Sequence, residues 1–222
     1  MISIAVDGPS GAGKSTVAKK LAEKLGIAYL DTGAMYRALG LKAQLTGVSA
    51  GDEKAVCRLL DSTVVSVEYD GFRQKTLLDG EDVTENIREH AISKIASDIS
   101  AIPAVRKKMA ELQRKIASEK DCVLDGREIG SYVLPDARYK FFLTASPEVR
   151  AERRRRELAA KGSGLPFEKV LSDILTRDQN DTNRAFAPLV CVPDAVVVDS
   201  SFLTADEVVE KFLEVIGEKN NG

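Results

Sequence analysis

The stretch Ser3-Ile4-Ala5-Val6-Asp7-Gly8-Pro9-Ser10-Gly11-Ala12-Gly13-Lys14-Ser15-Thr16-Val17 decides the fold. A short apolar run closes on Asp7, glycines punctuate the next residues, and Val17, Leu21 and Leu25 then recur at helical spacing. Positions 8–15 match GxxxxGK[ST] at every fixed position, in the context the motif requires, after a strand and at the opening of a helix. Glycines let backbone N–H groups turn inward around phosphate oxygens, and the positive end of the helix reinforces them. In such a loop Lys14 reaches the β- and γ-phosphates of a nucleotide and the Ser15 hydroxyl ligates Mg²⁺. The phosphate-holding set is therefore Gly8, Pro9, Ser10, Gly11, Ala12, Gly13, Lys14, Ser15 and Thr16.

Working outward, apolar runs at 2–6, 27–30, 122–124, 141–143 and 195–198 alternate with segments of helical period. That pattern predicts an α/β fold, a five-stranded parallel sheet with helices on both faces. Asp7, Asp31, Asp125 and Asp199 each stand just beyond or at the end of such a run, where the ligand crevice of an open parallel sheet lies. One region breaks the alternation: 64–69, Asp70-Gly71 and 73–78 read as two strands joined by a tight turn, a small antiparallel insertion over residues 63–85. Residues 85–118 are predicted helical with a break at Pro103. Thr204 and Glu207 form a capping-box signature before the last helix. The whole of 1–222 is expected to be one domain, with 32–118 as the acceptor region and 150–166 as a lid.

The P-loop leaves the outcome open between hydrolysis, signalling and transfer. No Asn-Lys-x-Asp run or DxxG switch points to a GTPase, and the arginines favour transfer to a second substrate. Arg37 follows the second strand in Asp31-Thr32-Gly33-Ala34-Met35-Tyr36-Arg37, Arg127 follows the third in Asp125-Gly126-Arg127-Glu128, and Arg177, Asp181 and Arg184 share one face of a predicted helix. Guanidinium forks suit bidentate phosphate recognition and stay charged at any working pH. Of the run 153–156, spacing selects Arg153 and Arg156 to meet donor phosphates when the lid closes. The single histidine, His90, lies away from every motif. A phosphate monoester, with a second pKa of about 6, needs no base to become a nucleophile. The inventory thus favours a phosphate acceptor.

The chain has 222 residues, 44% of them apolar, and 32 Lys plus Arg against 34 Asp plus Glu. A net charge of −2, with no aromatics among the arginines, speaks against nucleic-acid binding. Cys57, Cys122 and Cys191 are odd in number and far apart, which predicts core thiols and neither a disulfide framework nor a zinc site. Met1 runs almost directly into the motif and no stretch approaches the ~20 apolar residues of a span, so a cytoplasmic, membrane-free monomer is expected.

Taken together, residues 8–15, 31–37, 125–127 and Asn183-Arg184-Ala185-Phe186-Ala187-Pro188-Leu189 resemble bacterial cytidylate kinases, from Met1 to about Ile216. The resemblance implies a P-loop kinase that phosphorylates CMP and dCMP from ATP with Mg²⁺, and it identifies residues 63–85 with that family's enlarged monophosphate-binding region. It implies that Arg37, Arg127 and Arg184 hold the acceptor phosphate and that Arg177 and Asp181 contact the ribose. Ser97 and Arg106 would read cytosine, with Thr32, Tyr36, Asp125 and Glu128 nearby. Lys14, Arg127, Arg184 and Arg153 are the implied catalytic cations. The family commonly has Asp-Gly-Arg-Asp where this chain has Asp125-Gly126-Arg127-Glu128, so the acceptor for the cytosine amine is longer by one methylene. Another small-acceptor kinase of the UMP/CMP type and a P-loop ATPase that transfers nothing are the alternatives.

Overall fold

Alternation along the strands explains the layers. In β1 (Ser3–Asp7) Ile4 and Val6 face one way and Ala5 the other, and β6 (Cys122–Gly126) repeats the division with Val123 against Leu124. Both faces are apolar, so the sheet needs helices on both sides. The computed structural model describes residues 1–71, 73–160, 162 and 164–221, apart from the side chains of Arg73, His90 and residues 219–221.

With β1 and β6, the strands β2 (Ala28–Asp31), β7 (Tyr139–Thr144) and β8 (Val196–Asp199) form a five-stranded sheet of order β2-β6-β1-β7-β8, parallel throughout. The expected P-loop fold is the one found. On one face pack α1 (Lys14–Leu25) and α8 (Ala205–Asn221), where Phe212 stacks on Phe141 at 3.8 Å between ring centroids. The predicted capping box opens α8: Thr204 N–H and hydroxyl donate to Glu207 at 2.8 Å, and Glu207 N–H returns to Thr204 at 3.3 Å.

The other face carries α2 (Thr32–Thr46), α4 (His90–Ile99) and α5 (Pro103–Ala117), with α3 (Glu53–Asp61) beside them. Pro103 opens α5 at its first position, where its missing N–H costs nothing. The insertion is a three-stranded antiparallel sheet of β3 (Val65–Asp70), β4 (Arg73–Leu78) and β5 (Glu81–Asp82). The two-residue β5 extends the expected hairpin, and Phe72 at its turn lies outside the described residues. Finally α6 (Pro147–Ala160) and α7 (Phe167–Asn183) pair through Ala151, Leu158, Val170 and Ile174. Lys161 and Ser163 of the expected lid loop lie outside the described residues, as does the His90 side chain. No described helix is long and apolar enough to cross a membrane.

The strand order turns at β1, which has β6 and β7 as neighbours, and the crevice beyond its carboxyl end is where ligands of such sheets bind.

Candidate functional site

The loop after β1 fills that crevice. A Cβ on Gly8, at φ 148°, would stand 2.0 Å from the Leu143 carbonyl oxygen, so only glycine lets the chain pass the end of β7. Helix α1 starts behind Gly13 without a side-chain cap, leaving its first N–H groups directed at the loop. Lys14 donates from Nζ to the Pro9 carbonyl at 2.7 Å. Burial, then repulsion from Arg127, pushes its pKa down to about 7. Ser15 donates to Asp125 Oδ2 at 2.8 Å, and the Tyr29 hydroxyl donates to Asp125 Oδ1 at 2.8 Å. Burial and the neighbouring Asp31 raise the Asp125 pKa. Asp7, the strand-end acid before the loop, accepts from Ile129 N–H at 2.8 Å and Gly130 N–H at 2.7 Å, and burial lifts its pKa to about 6.

The residues expected to hold the acceptor are set by their own neighbours. Asp31 caps α2 through Ala34 N–H at 2.8 Å and holds Arg37 at 2.8 Å, while Gln74 from the inserted sheet accepts the Asp31 N–H at 2.6 Å. Thr32 donates to the Asp125 carbonyl at 2.6 Å. Glu128 is buried and engaged on both oxygens: Oε1 takes Arg106 and, at 3.2 Å, the Tyr36 hydroxyl, and Oε2 takes Arg184 at 3.0 Å. Arg127 pairs with Asp181 at 2.8 Å, and Arg184 reaches the other Asp181 oxygen at 3.1 Å. Burial alone would raise Asp181; Arg127 and Arg184 outweigh it and hold its pKa low. Arg177 is brought down to about 10 by burial and by Arg127.

A cleft of about 700 Å³ joins the two sides. Of the residues expected to hold the donor, Ser10, Gly11, Ala12, Gly13, Lys14, Ser15 and Thr16 line it. Of those expected to hold the acceptor, Thr32, Tyr36, Arg37, Ser97, Arg106, Asp125, Arg127, Glu128, Arg177 and Asp181 line it too. Gly8, Pro9 and Arg184 do not line it. Helix α7 ends at Asn183, so Arg184 stands just past the expected helix and turns behind Glu128 and Asp181, where it also donates to the Ala187 carbonyl at 2.6 Å.

Arg153 and Arg156 both line the cleft, as expected from spacing, and Arg154 joins them. Arg153 is drawn to the loop after β8, donating to the Ser200 carbonyl at 2.6 Å and hydroxyl at 3.0 Å, whereas Arg156 pairs with Glu152 at 2.8 Å. Sequence reasoning missed Tyr29, Arg150, Asp178 and the lining loop Ser200, Leu203 and Thr204. The only available signals were the adjacency of Asp178 to Arg177 and of the 200–204 loop to a strand-end acid.

Chemically, the arrangement opposes a phosphate-binding loop to a set of guanidinium groups across one cleft. No described cluster of three or more His, Cys, Asp or Glu could hold a metal by itself.

Comparison with known proteins agrees with this chemistry. A family model described as "Cytidylate kinase" matches residues 4–218. A protein named cytidylate kinase from Carboxydothermus hydrogenoformans is 50% identical over 98% of this chain and 98% of its own length. Another of that name, from Caldicellulosiruptor bescii, is 48% identical over 96% of this chain and 95% of its own. A crystal structure of an uncharacterized protein from Eubacterium ventriosum shares the fold, with a TM-score of 0.54 at 14% identity over 98% of this chain and 99% of that one.

Proposed function

The chain belongs to the cytidylate kinase family, and on that premise we propose that it transfers the γ-phosphate of ATP to CMP and dCMP, releasing ADP with CDP or dCDP. The carrying observation is that one cleft is lined both by the phosphate loop with Lys14 and by Arg37, Arg127 and Arg177. Converging cations are costly alone and are relieved by a polyanion that lies between them.

In this reading the loop N–H groups and Lys14 hold the donor phosphates, while Arg37 and Arg127 orient the acceptor phosphate for in-line attack. The acceptor oxygen is already ionised at neutral pH, so no side chain has to remove a proton. Arg177 stands among Arg127, Arg154 and Arg37, where it can meet charge from both substrates. Arg184 orients Glu128 and Asp181, and reaches phosphate by exchanging one of those partners. Arg153, Arg154 and Arg156 on α6 cover the donor, and residues 150–166 act as the lid that excludes water.

Cytosine would lie at the end lined by Ser97, Arg106 and Glu128. The buried Arg106 Nε has no hydrogen-bond partner among the described residues, which leaves a donor for the ring acceptors. Glu128, with its carboxylate fixed by two arginines and Tyr36, offers the acceptor for the exocyclic amine.

An oxygen-only pair, the Ser15 hydroxyl and the Asp125 carboxylate, fits Mg²⁺, which takes few protein ligands and completes its shell with phosphate and water. Held there by Ser15 and Asp125, the ion would supply positive charge to neutralise what develops on the phosphoryl group. We read the working unit as a monomer. Its substrates are cytoplasmic metabolites, and we place it there. ADP release from ATP in the presence and absence of CMP tests the assignment; release indifferent to CMP removes it.

A further inference from the structure

Ser10, at the crest of the phosphate loop, has both of its backbone polar groups held by the α6/α7 pair. Its N–H donates to Asp178 Oδ1 at 3.3 Å, and its carbonyl accepts from Arg150 Nη1 at 3.0 Å. The same Arg150 nitrogen donates to Asp178 Oδ2 at 2.6 Å. Peptide, guanidinium and carboxylate thus close a ring. Arg150 is 4% exposed and is fixed further by donation from Nε to the Ala145 carbonyl at 2.8 Å. The backbone packs there too: a Cβ on Gly11 would stand 3.2 Å from the Arg150 Cβ.

With Arg150 buried and Asp178 partly exposed, the pair is a poor device for stability, because desolvating the guanidinium offsets much of its attraction. What it adds is direction. A planar fork and a carboxylate fix the peptide they share in position and orientation, which apolar packing does not do. The helix that carries Asp178 also carries Arg177 immediately before it and Asp181 three residues on, and both line the acceptor end of the cleft. Asp181 is tied in turn to Arg127 and Arg184. One rigid helix therefore touches the acceptor end through Arg177 and Asp181 and the donor loop through Asp178.

We propose that Arg150 and Asp178 are positioning residues that couple the two ends of the cleft: acceptor binding sets α7, and α7 sets the Ser10 peptide and the loop N–H groups for the donor phosphates. This rests on the reading above, in which the loop takes the donor and the far end takes the monophosphate. Neither residue touches a reacting atom. Coupling of this kind is reciprocal, so each substrate tightens the binding of the other by the same factor.

The test is calorimetric titration of a non-hydrolysable ATP analogue with Mg²⁺, with and without saturating CMP, on the wild type, Arg150→Lys and Asp178→Asn. Arg150→Lys keeps the charge and loses the fork. Asp178→Asn keeps the shape and an acceptor for Ser10 while giving up the ion pair, and it carries the test alone should Arg150→Lys fail to fold. In the wild type CMP is expected to tighten the analogue by about fivefold or more. In both variants that gain disappears while CMP alone binds as in the wild type. A merely structural defect would weaken each ligand separately and leave the gain intact, which would overturn the proposal. So would a wild type that binds CMP with no change in analogue affinity. A wild type that binds the analogue and no CMP defeats the acceptor assignment itself, and the coupling falls with it.

Discussion

Arg106 and Glu128 form a buried ion pair at the acceptor end of the cleft, and the second oxygen of the same carboxylate takes Arg184 at 3.0 Å. That carboxylate is the ion-pair partner of the desolvated Arg106, and Arg184 divides its guanidinium between it and Asp181. Glu128→Ala is expected to lower the unfolding free energy by about 3–5 kcal/mol, the cost of stranding a buried charge. Urea unfolding measures it. Glu128→Asp shortens the reach by one methylene and cannot keep both contacts at their present lengths, so its loss should be smaller but real.

Arg106→Met should affect specificity more than turnover. A hydrogen bond from a charged donor contributes about 1.5–3 kcal/mol, so kcat/KM for CMP should fall by about 10- to 100-fold. The preference for CMP over UMP should shrink with it. Equal losses for every acceptor would remove Arg106 from base reading.

Lys14→Ala should lower kcat by about 10²–10³-fold or more, the size expected when a charge-stabilising donor is lost from a water-excluded site. CMP binding, followed by calorimetry, should weaken far less than kcat, because Lys14 is held by its own loop through the Pro9 carbonyl.

Ser15→Ala and Asp125→Asn should each raise the Mg²⁺ concentration needed for half-maximal rate, by about 10- to 100-fold. Chelation of the metal should stop transfer in the wild type. A Mg²⁺ requirement unchanged in both variants would place the ion elsewhere.

Asp7 has a pH signature. Its folded pKa is raised to about 6 from 3.8, with burial as the leading cause. Between those values the folded protein keeps a proton that the unfolded chain releases, so the group's contribution to stability falls as pH rises through the window, by on the order of 2–3 kcal/mol. Asp7→Asn should flatten that part of the stability–pH curve in denaturant unfolding. An unaltered slope would mean that Asp7 titrates near its ordinary value.

The parts legible in sequence were those whose cause is local. Asp7, Asp31 and Asp199 end their strands because each follows an apolar run, the loop announces itself by its glycines, and Pro103 restarts a helix where it must. Arg37 and Arg127 are placed near the loop by strand ends that share one edge, and Arg177 by its spacing to Asp181 on one helix, and all three line the cleft. What stayed hidden depends on pairings between distant residues. Ser10 meets Asp178 across 168 positions, and nothing around Asp178 distinguishes it from a solvated helix acid. The spacing of three from Asp181 puts Arg184 on a helix, whereas the chain turns extended at that residue and carries the side chain to Glu128 and Asp181. The two-residue β5 is too short to leave a periodic signal, and Arg150 differs in sequence from the arginines at 153–156 in nothing that announces its burial.

The central claim, transfer between ATP and a cytosine monophosphate, is tested most directly by initial rates of ADP formation from Mg·ATP with CMP, dCMP, UMP, AMP and GMP supplied singly. CMP and dCMP should support the fastest turnover, and ADP release without an acceptor should be slow. Equal rates with all five, or release that needs no acceptor, would contradict the account.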